Sequence, residues 1–140
     1  MSTNKTTHYQ LNQWEAEDKV LRTEFNEDNM KIDGALAALA GAVPRIVTGT
    51  YIGDGQDNQT IQLGFTPRAV YSCISWGSTY TSAGWFYFGG LAFPEVPAST
   101  SDNYLILSVV DGGFQVYYQN SGQNIRSNTK GEHYHYIALA

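Results

Sequence analysis

Residues 104–119 decide the fold, and they read YLILSVVDGGFQVYYQ. Two runs rich in β-branched and aromatic residues flank Asp111-Gly112-Gly113, and such a triplet is typical of the tight turn of a β-hairpin. Asp and Gly adopt the unusual backbone conformations of these turns at little cost. The stretch therefore predicts two antiparallel strands, Tyr104–Val110 and Phe114–Gln119.

Similar strand-like runs occupy most of residues 44–140 and are separated by turn residues. Along residues 68–76, the alternation of strand side chains places Val70, Ser72, Ile74 and Trp76 on one face. About seven short strands at this spacing are typical of an antiparallel sandwich or barrel. The sequence predicts a mainly β protein, with an antiparallel β-sandwich over residues 44–140.

Residues 1–43 have a different chemistry, since they carry eleven charged residues and the other 97 carry ten. Pro44 marks the boundary, because proline disfavours helix at the residue before it. We expect a helical stem over residues 1–43, with Thr23 capping its main helix.

Six residues of this stem follow the 4,3 spacing of a heptad seam. They are Phe25, Asn29, Ile32, Leu36, Leu39 and Val43. Leu at a and Ile at d favour trimers or tetramers over dimers, so the seam predicts a coiled coil that joins more than two chains. The alternative is an amphipathic helix that packs on its own β-module.

Composition excludes several classes of function. The net charge is -5 with eight Lys and Arg residues, whereas nucleic-acid binding needs a basic surface. The longest low-polarity run, residues 34–43, is too short to insert into a membrane. The first twenty residues contain no apolar segment of a signal peptide, so we expect synthesis in the cytoplasm.

Catalytic and metal-binding patterns are sparse, and we expect neither enzymatic activity nor a cofactor. A nucleophile and base would have to be Cys73 with His133 or His135, and a mid-strand cysteine is usually a core residue. His133 and His135 point the same way on a strand. They form a weak candidate metal pair, because a closed site needs more ligands.

Aromatic residues are the strongest functional signal. Aromatic rings beside short polar side chains suit sugars, since the ring stacks on the apolar face of a pyranose. The predicted ligand site combines aromatics around one loop with two hydrogen-bonding residues: Trp76, Tyr80, Trp85 and Tyr87, with Asp102 and Asn103. The same residue types also serve protein-binding loops.

Six segments resemble tail-fibre proteins of phages and prophages of Gram-positive bacteria. They are THYQLNQW (7–14), RTEFNEDNMKID (22–33), VTGTYIGDG (47–55), IQLGFTPRAV (61–70), GGFQV (112–116) and YHYIAL (134–139). The resemblance covers most of the chain but leaves out residues 76–103, where a host-specific receptor site is expected.

The resemblance implies a homotrimeric, non-enzymatic receptor-binding protein at the tail tip of the virion. Its N-terminal segment would contact other tail proteins, and its β-module would bind a bacterial cell-surface polysaccharide. Two alternatives stay open: a structural tail or baseplate component that binds only protein, and a fragment of a glycan depolymerase.

Overall fold

A computed structural model describes residues 1–120, 122 and 124–140. The protein is mainly β, with 41% of its residues in strands and 15% in helix. The chain forms two compact units, Met1–Pro44 and Arg45–Ala140.

The described chain contains one helix and thirteen strands. In chain order they are β1 (Asn4–Lys5), β2 (Asn12–Gln13), α1 (Arg22–Ala42), β3 (Ile46–Ile52), β4 (Asn58–Gln62), β5 (Ala69–Ile74), β6 (Tyr80–Thr81), β7 (Phe86–Tyr87), β8 (Gly90–Ala92), β9 (Ala98–Ser99), β10 (Leu105–Val110), β11 (Gly113–Gln119), β12 (Asn124–Arg126) and β13 (His133–Leu139).

The predicted helical stem over residues 1–43 is wrong, because helix begins only at Arg22. Before it, β1 and β2 pair as a short antiparallel hairpin. The carbonyl oxygen of Leu21 accepts a hydrogen bond from the Phe25 amide at 3.1 Å, and Leu21 occupies the N-cap. Thr23 therefore lies inside the first turn and does not cap the helix.

The predicted coiled coil is also wrong, since residues 1–44 contain no coiled-coil stem. The buried residue of α1 is Asp28, which accepts hydrogen bonds from the backbone and side-chain nitrogens of Asn12, both at 2.8 Å. Polar contacts therefore join the helix to the hairpin. All six heptad residues are exposed: Phe25, Asn29, Ile32, Leu36, Leu39 and Val43.

Two properties of the seam explain this outcome. Fewer than three heptads give a marginal helix pair, and a polar Asn at an a position costs stability. The homotrimer that the resemblance implies stays a prediction, without a coiled coil to support it.

The first sheet of the C-terminal unit has four antiparallel strands in the order β3-β13-β5-β8. β13 pairs with β3 from His133 opposite Ile52 to Leu139 opposite Ile46. One face of the sheet is buried, and the other is exposed.

The second sheet follows the order β6-β7-β12-β11-β10-β9, and β4 also pairs with β11. The predicted hairpin at its centre is confirmed: Val110 lies opposite Gly113, and Gly112 has a φ of 76°. Unlike the other pairs, β7 and β12 run parallel. This pairing brings residues about forty positions apart into contact.

Both sheets contribute side chains to one core, with Tyr134 from the first sheet and Phe114 from the second among its largest members. The predicted alternation in β5 is confirmed for Val70, Ser72 and Ile74, which are buried. Trp76 was predicted on the same face but is exposed, because β5 ends at Ile74.

Candidate functional site

A groove with a volume of about 370 Å³ lies beside the end of β5, the β6–β7 ribbon and β12. We call it the indole groove, and it is lined by Ile74, Trp76, Thr81, Ala83, Phe86, Phe88, Arg126, Thr129 and Glu132. Three aromatic rings supply apolar surface, while hydroxyl, guanidinium and carboxylate groups supply hydrogen-bonding partners. Such a combination is typical of a small-molecule site.

The turn after β5 displays Trp76. The Ile74 carbonyl accepts a hydrogen bond from the Gly77 amide at 2.7 Å, and Gly77 has a φ of 86°, a conformation that favours glycine. The indole of Trp76 is 64% exposed and meets the Phe88 ring edge to face, with centroids 5.4 Å apart. An exposed indole held by one neighbouring ring leaves apolar surface available to a ligand.

Arg126 forms a rigid part of the groove wall. Its guanidinium carbon lies 5.1 Å from the ring centroid of Phe86 and 5.0 Å from that of Tyr118. Its Nη1 donates to the backbone carbonyls of Gln119 at 2.8 Å and Ile125 at 3.1 Å. These contacts fix the plane of the guanidinium.

Two buried tyrosines position the segment that follows β12. The Tyr134 hydroxyl donates to the Arg126 carbonyl and accepts from the Thr129 amide at 3.2 Å. The Tyr51 hydroxyl donates to the Ser127 carbonyl at 2.8 Å. Burial raises the pKa of both tyrosines, so both remain neutral donors at physiological pH and hold this wall in place.

The predicted aromatic residues do not all lie in the groove. Tyr80 and Tyr87 are directly opposite each other in the β6–β7 ribbon, with ring centroids 4.9 Å apart. Their chain neighbours Thr81 and Phe86 line the groove, so alternation places the two tyrosines on the opposite face of the ribbon. Trp85 lies in the connecting turn and is 68% exposed, with a φ of 57°.

The two predicted hydrogen-bonding residues, Asp102 and Asn103, lie in the loop between β9 and β10. Asn103 lines a second groove of about 490 Å³, which we call the tyrosine groove. Its lining residues are Asp57, Asn103, Tyr104, Leu105, Tyr117, Tyr118 and Gln119. None of the four predicted aromatic residues lines it. The six predicted residues therefore lie in four places: the indole groove, the opposite face of the β6–β7 ribbon, the turn of that ribbon and the β9–β10 loop.

Sequence reasoning missed most of the indole groove, including Thr81, Phe86, Arg126 and Glu132. Arg126 belongs to a three-residue strand, and the available signal was one apolar residue, Ile125, between two polar ones. Such a short alternation does not stand out from a polar loop. The alternation of Phe86 and Phe88 was a clearer sign of a strand with one apolar face.

The weak candidate metal pair lies elsewhere, on the exposed face of the first sheet. His133 and His135 are both exposed, and His135 is opposite Cys73 in the register. Among the described residues, no group of three or more His, Cys, Asp or Glu side chains could hold a metal ion. Burial raises the pKa of Cys73, and this opposes the thiolate form that a nucleophile needs.

Within the part of the chain that the structure describes, no helix combines the length and apolar character that crossing a bilayer requires.

No protein-family model, curated protein or solved structure matches this chain. The resemblance to tail-fibre proteins therefore stays a prediction.

Proposed function

We propose that the chain is a non-enzymatic receptor-binding component of a phage tail fibre that binds a bacterial cell-surface polysaccharide through the indole groove. The observation that carries this proposal is the 64% exposed indole of Trp76 in a groove with two further rings, Phe86 and Phe88. The phage context, with a place at the tail tip of the virion, comes from the sequence resemblance.

The chemistry of the groove suits a sugar better than a purely apolar ligand. A pyranose presents an apolar C–H face that stacks on an aromatic ring, and its edge carries hydroxyl groups. Thr81, Thr129 and Glu132 offer both donors and acceptors to those hydroxyls. The single positive and single negative side chain balance, so a neutral sugar meets no net charge.

The single carboxylate of the groove favours binding over hydrolysis. Glycoside hydrolysis uses a pair of carboxyl groups about 5–10 Å apart. Among the residues that line the groove, Glu132 is the one carboxylate. A depolymerase would need a second carboxylate beside it.

The proposal is tested with an array of wall polysaccharides from Gram-positive bacteria. We expect Trp76→Ala to weaken binding about tenfold, the equivalent of about 1.4 kcal/mol, because the main stacking surface is removed. Tyr80→Ala is the matched control, since it removes an exposed aromatic ring from the opposite face of the ribbon. It should change affinity less than about twofold, a difference well below 1 kcal/mol.

The outcomes separate the possible sites. Loss of binding in Tyr80→Ala but not in Trp76→Ala would move the site to the opposite face of the ribbon. Unchanged binding in both variants, or no binding by the unmodified protein, would overturn the proposed function.

A structural tail component that binds only protein is the second candidate, and the exposed face of the first sheet favours it. Ile137 lies opposite Tyr71, and Tyr71 lies opposite Leu91. All three side chains are exposed, and such an apolar patch often marks a protein interface. In that case Leu91→Glu would prevent incorporation into tails, while tails that carry Trp76→Ala would adsorb normally.

A further inference from the structure

Strand β3 forms one edge of the first sheet and lacks the usual protection of an edge. Among the described residues, β13 is the one strand that pairs with β3. β3 is seven residues long, whereas β8 at the other edge has three. Proteins usually protect an exposed edge with a charge, a proline, a bulge or a short strand. The sequence of β3, IVTGTYI, has no charged residue and no proline, and its register with β13 is continuous, so this edge is a template for another strand.

The hydrogen bonds to β13 determine which backbone groups of β3 point to the free edge. The Gly53 amide donates to the Glu132 carbonyl at 3.0 Å, and the Ala140 amide donates to the Arg45 carbonyl at 2.8 Å. Because every second residue of an antiparallel strand bonds to a given neighbour, the odd-numbered residues from 45 to 53 bond to β13. The amides and carbonyls of the even-numbered residues therefore point outward: Ile46, Thr48, Thr50 and Ile52.

The sequence of β3 is nearly symmetrical about Gly49. Thr48 and Thr50 flank this glycine, and Ile46 and Ile52 end the strand. A two-fold axis at Gly49 places a second copy of β3 antiparallel to the first, with Thr48 opposite Thr50 and Ile46 opposite Ile52. These four residues carry the outward backbone groups, so each opposing pair can exchange two hydrogen bonds, about eight in all. Thr–Thr pairs across strands are also favourable.

The charges at the two ends of β3 are complementary in this arrangement. Arg45 precedes the strand, Asp54 follows it, and both side chains are exposed. Antiparallel pairing brings the basic end of each strand beside the acidic end of the other, which favours this register. The chain as a whole has a net charge of -5, so two copies repel each other over much of their surface. A neutral strand with oppositely charged ends therefore suits a second copy of itself.

We propose that two copies of this chain pair through β3 around a two-fold axis at Gly49. Their two four-stranded sheets then join into one sheet of eight strands, and the interface is the same on both chains. The pair has two chains, whereas the resemblance to tail-fibre proteins implies three. It forms whatever ligand the indole groove binds, and it carries one such groove on each chain.

Sedimentation equilibrium of the full chain tests this pairing, and we expect a dimer. The double variant Thr48→Lys/Thr50→Lys should weaken the dimer at least about tenfold, because like charges then lie directly opposite each other. The matched control is Thr48→Lys/Thr50→Glu, in which each introduced lysine lies opposite an introduced glutamate of the other chain. It should associate at least about tenfold more tightly than the double-lysine variant. The double-lysine variant has the smaller net negative charge, so general repulsion between chains predicts the reverse order.

A further control and a second measurement locate the interface. Leu91→Glu changes an exposed residue of β8, at the opposite edge of the same sheet, and should leave the dimer intact. Hydrogen exchange measured by NMR reports the strand pairing directly. The amides of Ile46 and Ile52 should exchange slowly in the dimer and quickly in the double-lysine variant. The amides of Val47 and Tyr51, which point to β13, should exchange slowly in both.

A chain that sediments as a monomer even at about 1 mM would overturn the proposal, since such a pair would be too weak to matter. A trimer would also overturn it. The same holds for a dimer that both double variants weaken equally, that neither weakens, or that Leu91→Glu disrupts. Fast exchange of the Ile46 and Ile52 amides in an unmodified dimer would show that a different surface joins the two chains.

Discussion

At the residue scale, Trp85 combines an exposed ring with an unfavourable backbone. Its φ of 57° lies in the left-handed region, which costs L-residues about 1–2 kcal/mol and is rare for bulky side chains. Because its indole is 68% exposed, packing recovers little of this cost. Trp85 therefore contributes little to folding, and its predicted role in ligand binding stays a prediction.

We expect Trp85→Gly to raise the free energy of unfolding by about 1 kcal/mol, since glycine adopts this conformation without strain. The measurement is the urea unfolding curve. Glu95→Gly is the matched control, because Glu95 is also exposed and has a φ of 64°. A rise for Glu95→Gly with a fall for Trp85→Gly would show that the indole packs and stabilises the turn.

At the element scale, carboxylates attach α1 to the β1–β2 hairpin. Glu24 accepts hydrogen bonds from the Ser2 amide at 3.0 Å and from the Trp14 indole nitrogen at 3.2 Å, and Asp28 accepts two from Asn12. Desolvation raises the pKa of Asp28, but the hydrogen bonds from Asn12 and the charge of Lys31 outweigh it and leave the pKa below its usual value. The same balance holds for Glu24. Desolvation raises its pKa, but the hydrogen bonds from Ser2 and Trp14 oppose this effect, and the pKa lies below its usual value.

These shifts predict that the hairpin–helix contact weakens in acid. A carboxyl group with a lowered pKa in the folded state stabilises it fully above the unfolded pKa, about 4, and loses this contribution as the pH falls further. Asp28→Asn should weaken the contact between the hairpin and the helix in the same way at pH 7, because it removes the charge of this carboxylate. The Asn12 amide resonance in NMR spectra reports the contact, because this amide donates directly to Asp28.

The control for this prediction is Asp33→Asn, which removes an exposed carboxylate from the same helix. It should leave the Asn12 resonance and its pH dependence unchanged. An Asn12 resonance that is insensitive both to acid and to Asp28→Asn would contradict the assigned role of Asp28.

At the scale of the whole molecule, the β-unit has a core of its own. Every residue of the buried cluster, from Tyr51 to Ala138, belongs to Arg45–Ala140. Both grooves are also lined entirely by residues of this unit. Folding of the unit and binding at its grooves should therefore not require residues 1–44.

We expect a fragment of residues 45–140 to unfold cooperatively and to bind the same wall polysaccharides as the full chain. Thermal unfolding followed by circular dichroism and the polysaccharide array check the two parts of this expectation. A fragment that melts without cooperativity would show that the N-terminal unit is needed for the fold. A folded fragment that does not bind would assign part of the site to residues 1–44.

Local sequence was sufficient for the features that depend on neighbouring residues. The Asp-Gly-Gly turn and the alternation in β5 were predictable because turn conformation and the two-residue period of a strand are properties of short segments. The heptad spacing of α1 is also a property of a short segment. It predicted an association between chains, however, and such an association depends on more than the spacing of residues. Its six residues are exposed in the structure.

The sequence by itself determined the mainly β character of the chain, its central hairpin and the abundance of aromatic residues available for binding. The tertiary structure alone decided which residues line the indole groove together. For example, the parallel pairing of β7 with β12 places Arg126 against Phe86. It also decided that Trp76 is exposed, through the turn that ends β5. The physical reason is that contacts between distant strands depend on how the sheets pack, and no short stretch of sequence encodes that packing.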